Sequence, residues 1–261
     1  MTSGFVGTLG VFFLRNIPPL NVVPQIELEI ETQSPLKRRQ KIIVMRETFF
    51  LEPYKKVLKS VDFWMVFYSI TIVSGSAFIL INNLGALVIS LGGQLGDQDK
   101  FVKLFGVSNG IGRVAGGVFS DFLSFKRVWY FVICSFIMCL AQMVLAYSTT
   151  SSLFFTVPIV GIFYGIITSI APLYIGERFG GEFFGGNWAM LSSAPGLGSL
   201  LFSSILTGLL YDKSQGELED NCNGQKCFQT AFLVMSILCI LSTALVSITA
   251  KRFSSISSNQ L

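Results

Sequence analysis

Residues 128–147 read VWYFVICSFIMCLAQMVLAY, which is twenty residues without a charged side chain. A helix needs about 20 such residues to cross a hydrocarbon layer about 30 Å thick. In lipid every backbone amide needs a partner within its own segment, so apolar segments of this length form helices rather than strands. Five further apolar segments accompany this one, at 62–91, 101–122, 152–175, 187–210 and 229–250. The sequence therefore predicts an all-α transmembrane protein with six spans.

The composition excludes a water-soluble core as the main way of burying the apolar side chains. Hydrophobic residues make up 51% of the 261 positions and charged residues 13%, with a mean hydropathy of +0.63, whereas average soluble domains carry about a quarter charged residues. Histidine, the commonest metal ligand, is absent. We therefore predict no enzyme, no metal site and no cofactor, and we attribute the net charge of +4 to membrane topology rather than to nucleic-acid binding.

The distribution of Lys and Arg predicts the orientation of the chain, because loops on the cytoplasmic side of a membrane retain positive charge. One side of the six predicted spans holds 14 basic residues, nine of them within 15–59. The other side holds four, and Arg113 inside a span completes the 19. The loop at 15–60 and the tail at 251–261 are therefore predicted to be cytoplasmic.

The N-terminal part of the chain does not fit the pattern of spans. Residues 5–14 are apolar but too short to cross a bilayer, and they lack the features of a secretory signal. We interpret 1–14 as the remnant of a preceding transmembrane helix. The polar, proline-rich segment 15–60 indicates a solvated loop, which leaves 61–250 as a six-helix transmembrane half-bundle.

Arg113 is the strongest candidate for a solute-binding residue. It lies about twelve residues into the predicted span 101–122, so the helical rise places it roughly 18 Å deep. A charge at that depth costs at least about 2.5 kcal/mol, which favours a position beside a water-filled cavity or a partner group. Asn109 lies four residues earlier on the same helical face. A structural role, in which Arg113 binds a carbonyl of a neighbouring helix, is the alternative.

Two adjacent asparagines interrupt the outer half of the first predicted span, where residues 74–93 read SGSAFILINNLGALVISLGG. Interrupted helices in transporters lend amide and backbone groups to the solute path, which makes Asn82 and Asn83 candidates for substrate binding. Hydrogen bonding between neighbouring helices would require the same side chains and is an equally good interpretation.

The second predicted span is rich in glycine, which allows close approach of a neighbouring helix. Packing is the simplest interpretation of this pattern. The glycines are Gly106, Gly110, Gly112, Gly116 and Gly117.

Charged and hydroxyl residues collect where predicted spans meet the cytoplasm, and they are candidates for a gate. Carboxylates and basic side chains at such positions can form a latch that holds one conformation of a carrier. An ordinary interfacial salt bridge is the alternative. The candidates are Ser120, Asp121, Lys126, Arg127, Glu177 and Arg178.

Cys222 and Cys227 flank a polar loop on the side opposite the basic loops. An oxidising compartment on that side would permit a disulfide between them, and two free thiols fit the sequence equally well. The three other cysteines lie in apolar runs and are expected to behave as small hydrophobic residues.

Taken together, these segments resemble the second half of a major facilitator superfamily transporter, in the nodulin-like branch that is related to monocarboxylate carriers. GRVAGGVFSDFLSFKR at 112–127 is similar to the superfamily's loop motif between the second and third helices of a half. NNLGALVISLGG at 82–93, the proline, glutamate, phenylalanine-glycine and tyrosine-aspartate series within 171–212, and CNGQKCF at 222–228 follow the order of the branch. The resemblance covers about residues 60–250.

The resemblance implies a carrier that moves a small solute across the bilayer by alternating access. This chain would be one six-helix half, and an N-terminal half or a second chain would supply the other. Arg113 would attract an anionic or polar solute, and Asp121 would belong to the cytoplasmic gate. Related monocarboxylate carriers have an aspartate where this chain has Asn109, so the resemblance does not extend to proton-linked carboxylate transport. The alternative is a non-transporting sensor, scaffold or decayed carrier that holds a cytosolic partner through the 15–60 loop.

Overall fold

All of the secondary structure in the described part of the chain is helical. The computed structural model describes residues 57–94, 96–122, 126–181, 184–215 and 224–258. The predicted remnant at 1–14 and nearly all of the predicted loop at 15–60 lie outside these ranges. The helices confirm the all-α prediction.

The helices differ in length, and several follow one another almost without interruption. In chain order they are α1 Val61–Asn82, α2 Leu84–Ser90, α3 Asp97–Phe122, α4 Val128–Ala146, α5 Leu153–Phe179, α6 Phe184–Leu191, α7 Ser193–Gly198, a π-helical segment Ser199–Leu206, α8 Thr207–Gln215 and α9 Lys226–Ser258. Only Ser192 interrupts the run from α6 to α8, so we call residues 184–215 the composite span.

Five stretches of helix are long and apolar enough to cross a membrane: α1, α4, α5, residues 184–213 of the composite span and residues 226–252 of α9. They correspond to five of the six predicted spans, and they identify an integral membrane protein that crosses the bilayer several times. The sixth prediction falls in α3, which has 26 residues and is therefore about 39 Å long. Its length is sufficient, but its charged residues make it too polar to qualify by composition alone.

Several helix boundaries differ from those of the predicted spans. The first predicted span, 62–91, is divided at Asn83 into α1 and α2. Helix α9 continues to Ser258, so the predicted tail at 251–261 begins inside a helix. The predicted span at 187–210 lies within the composite span, which is longer and consists of several short helical segments.

Helix α1 forms the centre of the half-bundle. It packs against α4, α5, α9 and the composite span, whereas α3 packs mainly against α5. In the apolar window of α1, 67% of the residues are buried, against 22% in the composite span. The composite span therefore presents a wide apolar face that nothing in the described part of the chain covers.

Buried hydroxyl groups link α1 to α4 and α9. The Oγ atoms of Ser69 and Ser135 lie 2.9 Å apart, and those of Ser135 and Ser242 lie 3.1 Å apart. Gln142 Nε2 also donates to the carbonyl oxygen of Ser76 at 3.2 Å. These bonds satisfy polar groups inside an apolar core and hold the three helices in register.

The start of α3 is stabilised by a local carboxylate. Lys100 Nζ donates to Asp97 Oδ1 at 2.8 Å, and the backbone nitrogen of Gln94 donates to Asp97 Oδ2 at 3.1 Å. These bonds, the first above all, hold the pKa of Asp97 below its ordinary value. A negative charge in the first turn also interacts favourably with the helix dipole, which explains why α3 begins here.

Candidate solute pathway and cytoplasmic charge network

Glycines on both helices bring the backbones of α3 and α5 into contact. A Cβ atom placed on Gly112 would collide with the backbone of Ile162, and one placed on Gly165 would lie 2.9 Å from the backbone nitrogen of Arg113. Gly116 is equally tight against α5. Close approach of this kind is what pairs of small residues four apart permit in membrane helices. The backbone of Arg113 is therefore fixed against α5.

The remaining glycines of α3 take no part in this contact. A Cβ atom on Gly106, Gly110 or Gly117 would have no heavy atom within 4 Å. The packing prediction is therefore confirmed for Gly112 and Gly116, whereas the other three glycines make no such contact within the described chain. Steps of three and four residues return to the same helical face, so the three open glycines share their face with the Arg113 side chain.

The Arg113 side chain is exposed on α3. None of the described residues forms a hydrogen bond or an ion pair with it, so the carbonyl contact of the structural alternative is not formed there. Tyr164 on α5 comes one position before Gly165, where α3 and α5 are in close contact, and its side chain is only 9% exposed. The ring centroid of Tyr164 lies 6.3 Å from that of Phe105 and 5.6 Å from that of Phe78. The backbone of Arg113 lies against Gly165, the neighbour of Tyr164 in the chain, so the arginine and this aromatic cluster belong to the same part of the contact between α3 and α5.

An exposed arginine together with a cluster of aromatic rings has the chemistry needed to bind a small organic anion. Binding sites for small molecules are mostly apolar, with a few polar groups that fix the orientation of the ligand. An unpaired guanidinium group can bind a carboxylate or another anion through charged hydrogen bonds. The aromatic rings of Phe78, Phe105 and Tyr164 could supply an apolar surface of this kind.

Asn109 ties α3 to α5 in this conformation. Its Nδ2 atom donates to the carbonyl oxygen of Gly161 at 3.4 Å, and its side chain is half-buried. The amide thus lies one turn from Arg113, but it is engaged in a contact between helices.

Asn82 and Asn83 both face the π-helical segment of the composite span. Asn82 Nδ2 donates to Ser203 Oγ at 3.0 Å and to Ser199 Oγ at 3.4 Å. Asn83 Nδ2 donates to the carbonyl oxygen of Ile79 at 3.0 Å, and a longer bond of 3.5 Å reaches Ser203 Oγ. These contacts correspond to the second of the two sequence interpretations, hydrogen bonding between helices, although Asn82 also remains exposed.

Helix α1 and the composite span are also in close contact earlier in α1, at Gly75. A Cβ atom on Gly75 would lie 2.5 Å from Phe202 Cδ2, and one on Gly198 would lie 2.9 Å from the backbone nitrogen of Gly75. π-Helical turns are rare and often occur at functional sites. Here the π-helical segment follows the close crossing directly and receives the amide hydrogen bonds at the break between α1 and α2.

Arg127 is the centre of a charge cluster at the predicted cytoplasmic end. Its guanidinium forms an ion pair with Glu177, and its Nη2 atom lies 3.4 Å from Asp121 Oδ1. Ser120 Oγ donates to Asp121 Oδ1 at 3.4 Å. The Arg127 side chain is 19% exposed, and the two carboxylates are more than half exposed. The cluster thus joins the end of α3, the turn before α4 and the end of α5, with the half-buried Lys126 adjacent in the chain.

Arg178 forms a separate contact. Its Nη2 atom donates to Asp62 Oδ2 at 3.1 Å, which joins the last turn of α5 to the first turn of α1. Each charge is also at the helix end whose dipole favours it. The predicted single network is therefore two contacts, and no sequence pattern identifies Asp62, because the partners are 116 residues apart.

Only one of the two cysteines predicted to pair lies within the described residues. Cys227 is disulfide-bonded and 2% exposed, but Cys222 lies outside the described residues, so their pairing stays a prediction. The other three cysteines are free and buried, in agreement with their predicted role as small hydrophobic residues. Within the described ranges, no group of three or more His, Cys, Asp or Glu side chains could hold a metal ion.

Known proteins are similar to this chain over most of its length. A family model described as "NFD4, C-terminal domain" matches residues 51–258. "Probable transporter MCH1" of Wickerhamomyces anomalus is 27% identical over 188 residues, which are 69% of this chain and 37% of that protein. "Probable transporter MCH1" of Candida albicans is 26% identical over 209 residues, which are 76% of this chain and 43% of that protein. The chain thus spans less than half the length of these relatives.

Proposed function

The chain belongs to the family of NFD4 C-terminal domains, and from this membership we propose that it is the C-terminal half of a membrane carrier for a small organic anion. The match agrees with the resemblance to the nodulin-like branch of the major facilitator superfamily, and the relatives are named as probable transporters. In the proposed mechanism two six-helix halves rock against each other and expose a central cavity to each side of the membrane in turn.

The observation that carries this proposal is the environment of Arg113. A charged side chain far from both ends of a membrane helix is costly unless it faces water, a ligand or a counter-charge. Arg113 has no counter-charge among the described residues, and its side chain lies on the exposed face of α3. An anionic solute would supply the missing charge, and Tyr164, Phe105 and Phe78 would contact its apolar part.

The proposed second half would cover two exposed faces. One is the face of α3 that carries Arg113 and the three open glycines, and the other is the outer face of the composite span. Small residues without close neighbours, such as Gly110 and Gly196, would allow a partner helix to approach closely. The length of the relatives favours an N-terminal half of the same gene product over a second copy of this chain.

The charge contacts would keep the cytoplasmic end of this half rigid during transport. Arg127 joins the ends of α3 and α5, and the Asp62–Arg178 pair joins α5 to α1. Helix ends that are linked in this way would move together, so the halves would open and close as bodies. In this proposal the gate candidates act within the half and not across the cavity.

Uptake into liposomes tests the proposal. The chain is reconstituted with the complete N-terminal part of its gene product, and the uptake of radiolabelled small carboxylates is measured. Arg113→Gln is expected to lower uptake about ten- to a hundredfold, because a hydrogen bond to a charged group contributes about 1.5–3 kcal/mol. Arg113→Lys should retain part of the activity, and Lys103→Gln, an exposed change at the outer end of the same helix, should retain all of it.

Normal uptake by the Arg113→Gln protein would contradict the proposed binding role. Absence of uptake by every form, with each form folded and inserted, would favour the non-transporting alternative. In that case the next experiment is to test whether the 15–60 loop, immobilised as bait, binds a cytosolic protein.

A further inference from the structure

Three basic side chains at the predicted cytoplasmic end differ from Arg127 and Arg178 in having no carboxylate beside them. Lys59, Lys251 and Arg252 are exposed, and none of the described residues pairs with them. Asp62, the acidic residue closest to Lys59 in the sequence, is already bound by Arg178. The three charges are therefore uncompensated within the described chain.

The structure places these residues at a common level of the adjacent helices α1 and α9, a region that we call a corner of the half-bundle. Thr249 Oγ1 lies 2.8 Å from Met65 Sδ, so α9 passes beside the start of α1 at this level. Lys251 and Arg252 lie two and three residues after Thr249, and Lys59 lies six residues before Met65. By the helical rise, the Cα atoms of the three basic residues lie within roughly 6 Å of one another along the direction of the helices.

Trp64 marks this corner as a membrane interface. Its side chain is 48% exposed, and its Nε1 atom donates to the carbonyl oxygen of Leu58 at 2.7 Å. Val57 is 1% exposed, so the segment before α1 is fixed to the bundle and Lys59 has a defined position. Tryptophan is enriched where membrane proteins meet the lipid headgroups, because its ring is apolar and its N–H is polar.

We propose that Lys59, Trp64, Lys251 and Arg252, which we call the basic corner, bind the headgroup of an acidic phospholipid. The lipid phosphate and its additional anionic group would be held by the three cations, and the Trp64 ring would lie against the upper part of the acyl chains. Acidic lipids concentrate in the cytoplasmic leaflet, which is the side to which the distribution of Lys and Arg assigns this end. The corner gives the half-bundle a fixed lipid contact that does not depend on the solute pathway.

Native mass spectrometry of the purified full chain in detergent tests this inference. The probe is phosphatidylserine, titrated in parallel with phosphatidylcholine of the same acyl chains. The test variant neutralises the basic corner by Lys59→Gln, Lys251→Gln and Arg252→Gln. The control variant removes the same charge at the opposite end by Lys103→Gln, Lys213→Gln and Lys226→Gln, all exposed positions.

The unaltered chain and the control variant should retain phosphatidylserine in preference to phosphatidylcholine. The test variant should bind phosphatidylserine more weakly by on the order of fivefold per basic residue removed, which is the usual contribution of one such residue near an acidic surface. All six side chains are exposed, so both variants should keep the elution volume of the folded chain. Equal weakening in the two variants, or equal binding of the two lipids by the unaltered chain, would overturn the inference.

Discussion

On the face of α3 that meets α5, Gly112 and Gly116 leave no room for a side chain, whereas Gly106, Gly110 and Gly117 on the exposed face have no neighbour within 4 Å. All five residues are glycines of one helix, but those on the packed face and those on the exposed face have different roles. The first group sets the distance between two backbones. The second group leaves a surface free next to Arg113.

The polar residues of α3 divide in the same way. Buried positions form one stripe: Phe101, Ser108, Gly112, Gly116 and Ser120. The guanidinium of Arg113 lies outside that stripe and is exposed. Apolar side chains such as Val107, Ile111 and Val114 are also exposed beside it, whereas small and hydroxyl residues predominate in the packed stripe of α3. Its two faces can be tested separately.

The largest expected effect comes from filling the packed face. Gly112→Leu places a side chain where the backbone of Ile162 lies, and relieving that overlap requires α3 and α5 to separate. Overpacking of a core side chain costs about 1–3 kcal/mol, and a collision with backbone should exceed this range. We expect most of the protein to be lost from the monodisperse peak in size-exclusion chromatography.

Gly110→Leu is the matched control on the exposed face. It makes the same chemical change two positions away, where nothing lies within 4 Å of the new Cβ atom. We expect normal yield and an unchanged melting temperature for the isolated half, and reduced uptake once the proposed second half is present. Equal loss of yield in both variants would mean that the two faces are not distinct.

The two arginines give the second test, because Arg127 is paired and Arg113 is not. Arg127→Gln removes contacts to Asp121 and Glu177 and should lower the free energy of unfolding by about 1–2 kcal/mol. The effect is at the low end for charged hydrogen bonds, since both carboxylates are more than half exposed. Arg113→Gln should leave stability unchanged or raise it. Thermal unfolding in detergent distinguishes the two, and a larger loss for Arg113→Gln would show that it has a structural partner after all.

Much of the fold was accessible from the sequence because the bilayer imposes simple requirements. Long uncharged segments must be helical, and five of the six predicted spans appear as long apolar helices. The position of Arg113 inside a long helix, away from both of its ends, also followed from the sequence. Such local properties carry over directly from sequence to structure.

Features that depend on which helices meet were not accessible. Nothing in the sequence distinguishes Tyr164 from the other aromatic residues of its apolar run until α3 packs on α5 with the backbone of Arg113 against Gly165. Asp62 and Arg178 are too far apart in the sequence for any local pattern to connect them. The hydrogen bonds of Asn82 and Asn83 depend in the same way on the π-helical segment, whose wide turns have no simple sequence signature.

The smallest expected effect concerns polar side chains that only hold helices together. Ser135→Ala removes the hydroxyl that bridges Ser69 on α1 and Ser242 on α9. A hydrogen bond between membrane helices contributes about 0.6 kcal/mol on average, so the loss should stay below about 1 kcal/mol, with transport unchanged. Ser204→Ala, at an exposed position of the π-helical segment, should have no measurable effect on thermal unfolding. A loss of transport in Ser135→Ala at normal stability would place the buried hydroxyl chain in the working part of the carrier, and the distinction between packing groups and pathway groups would then fail.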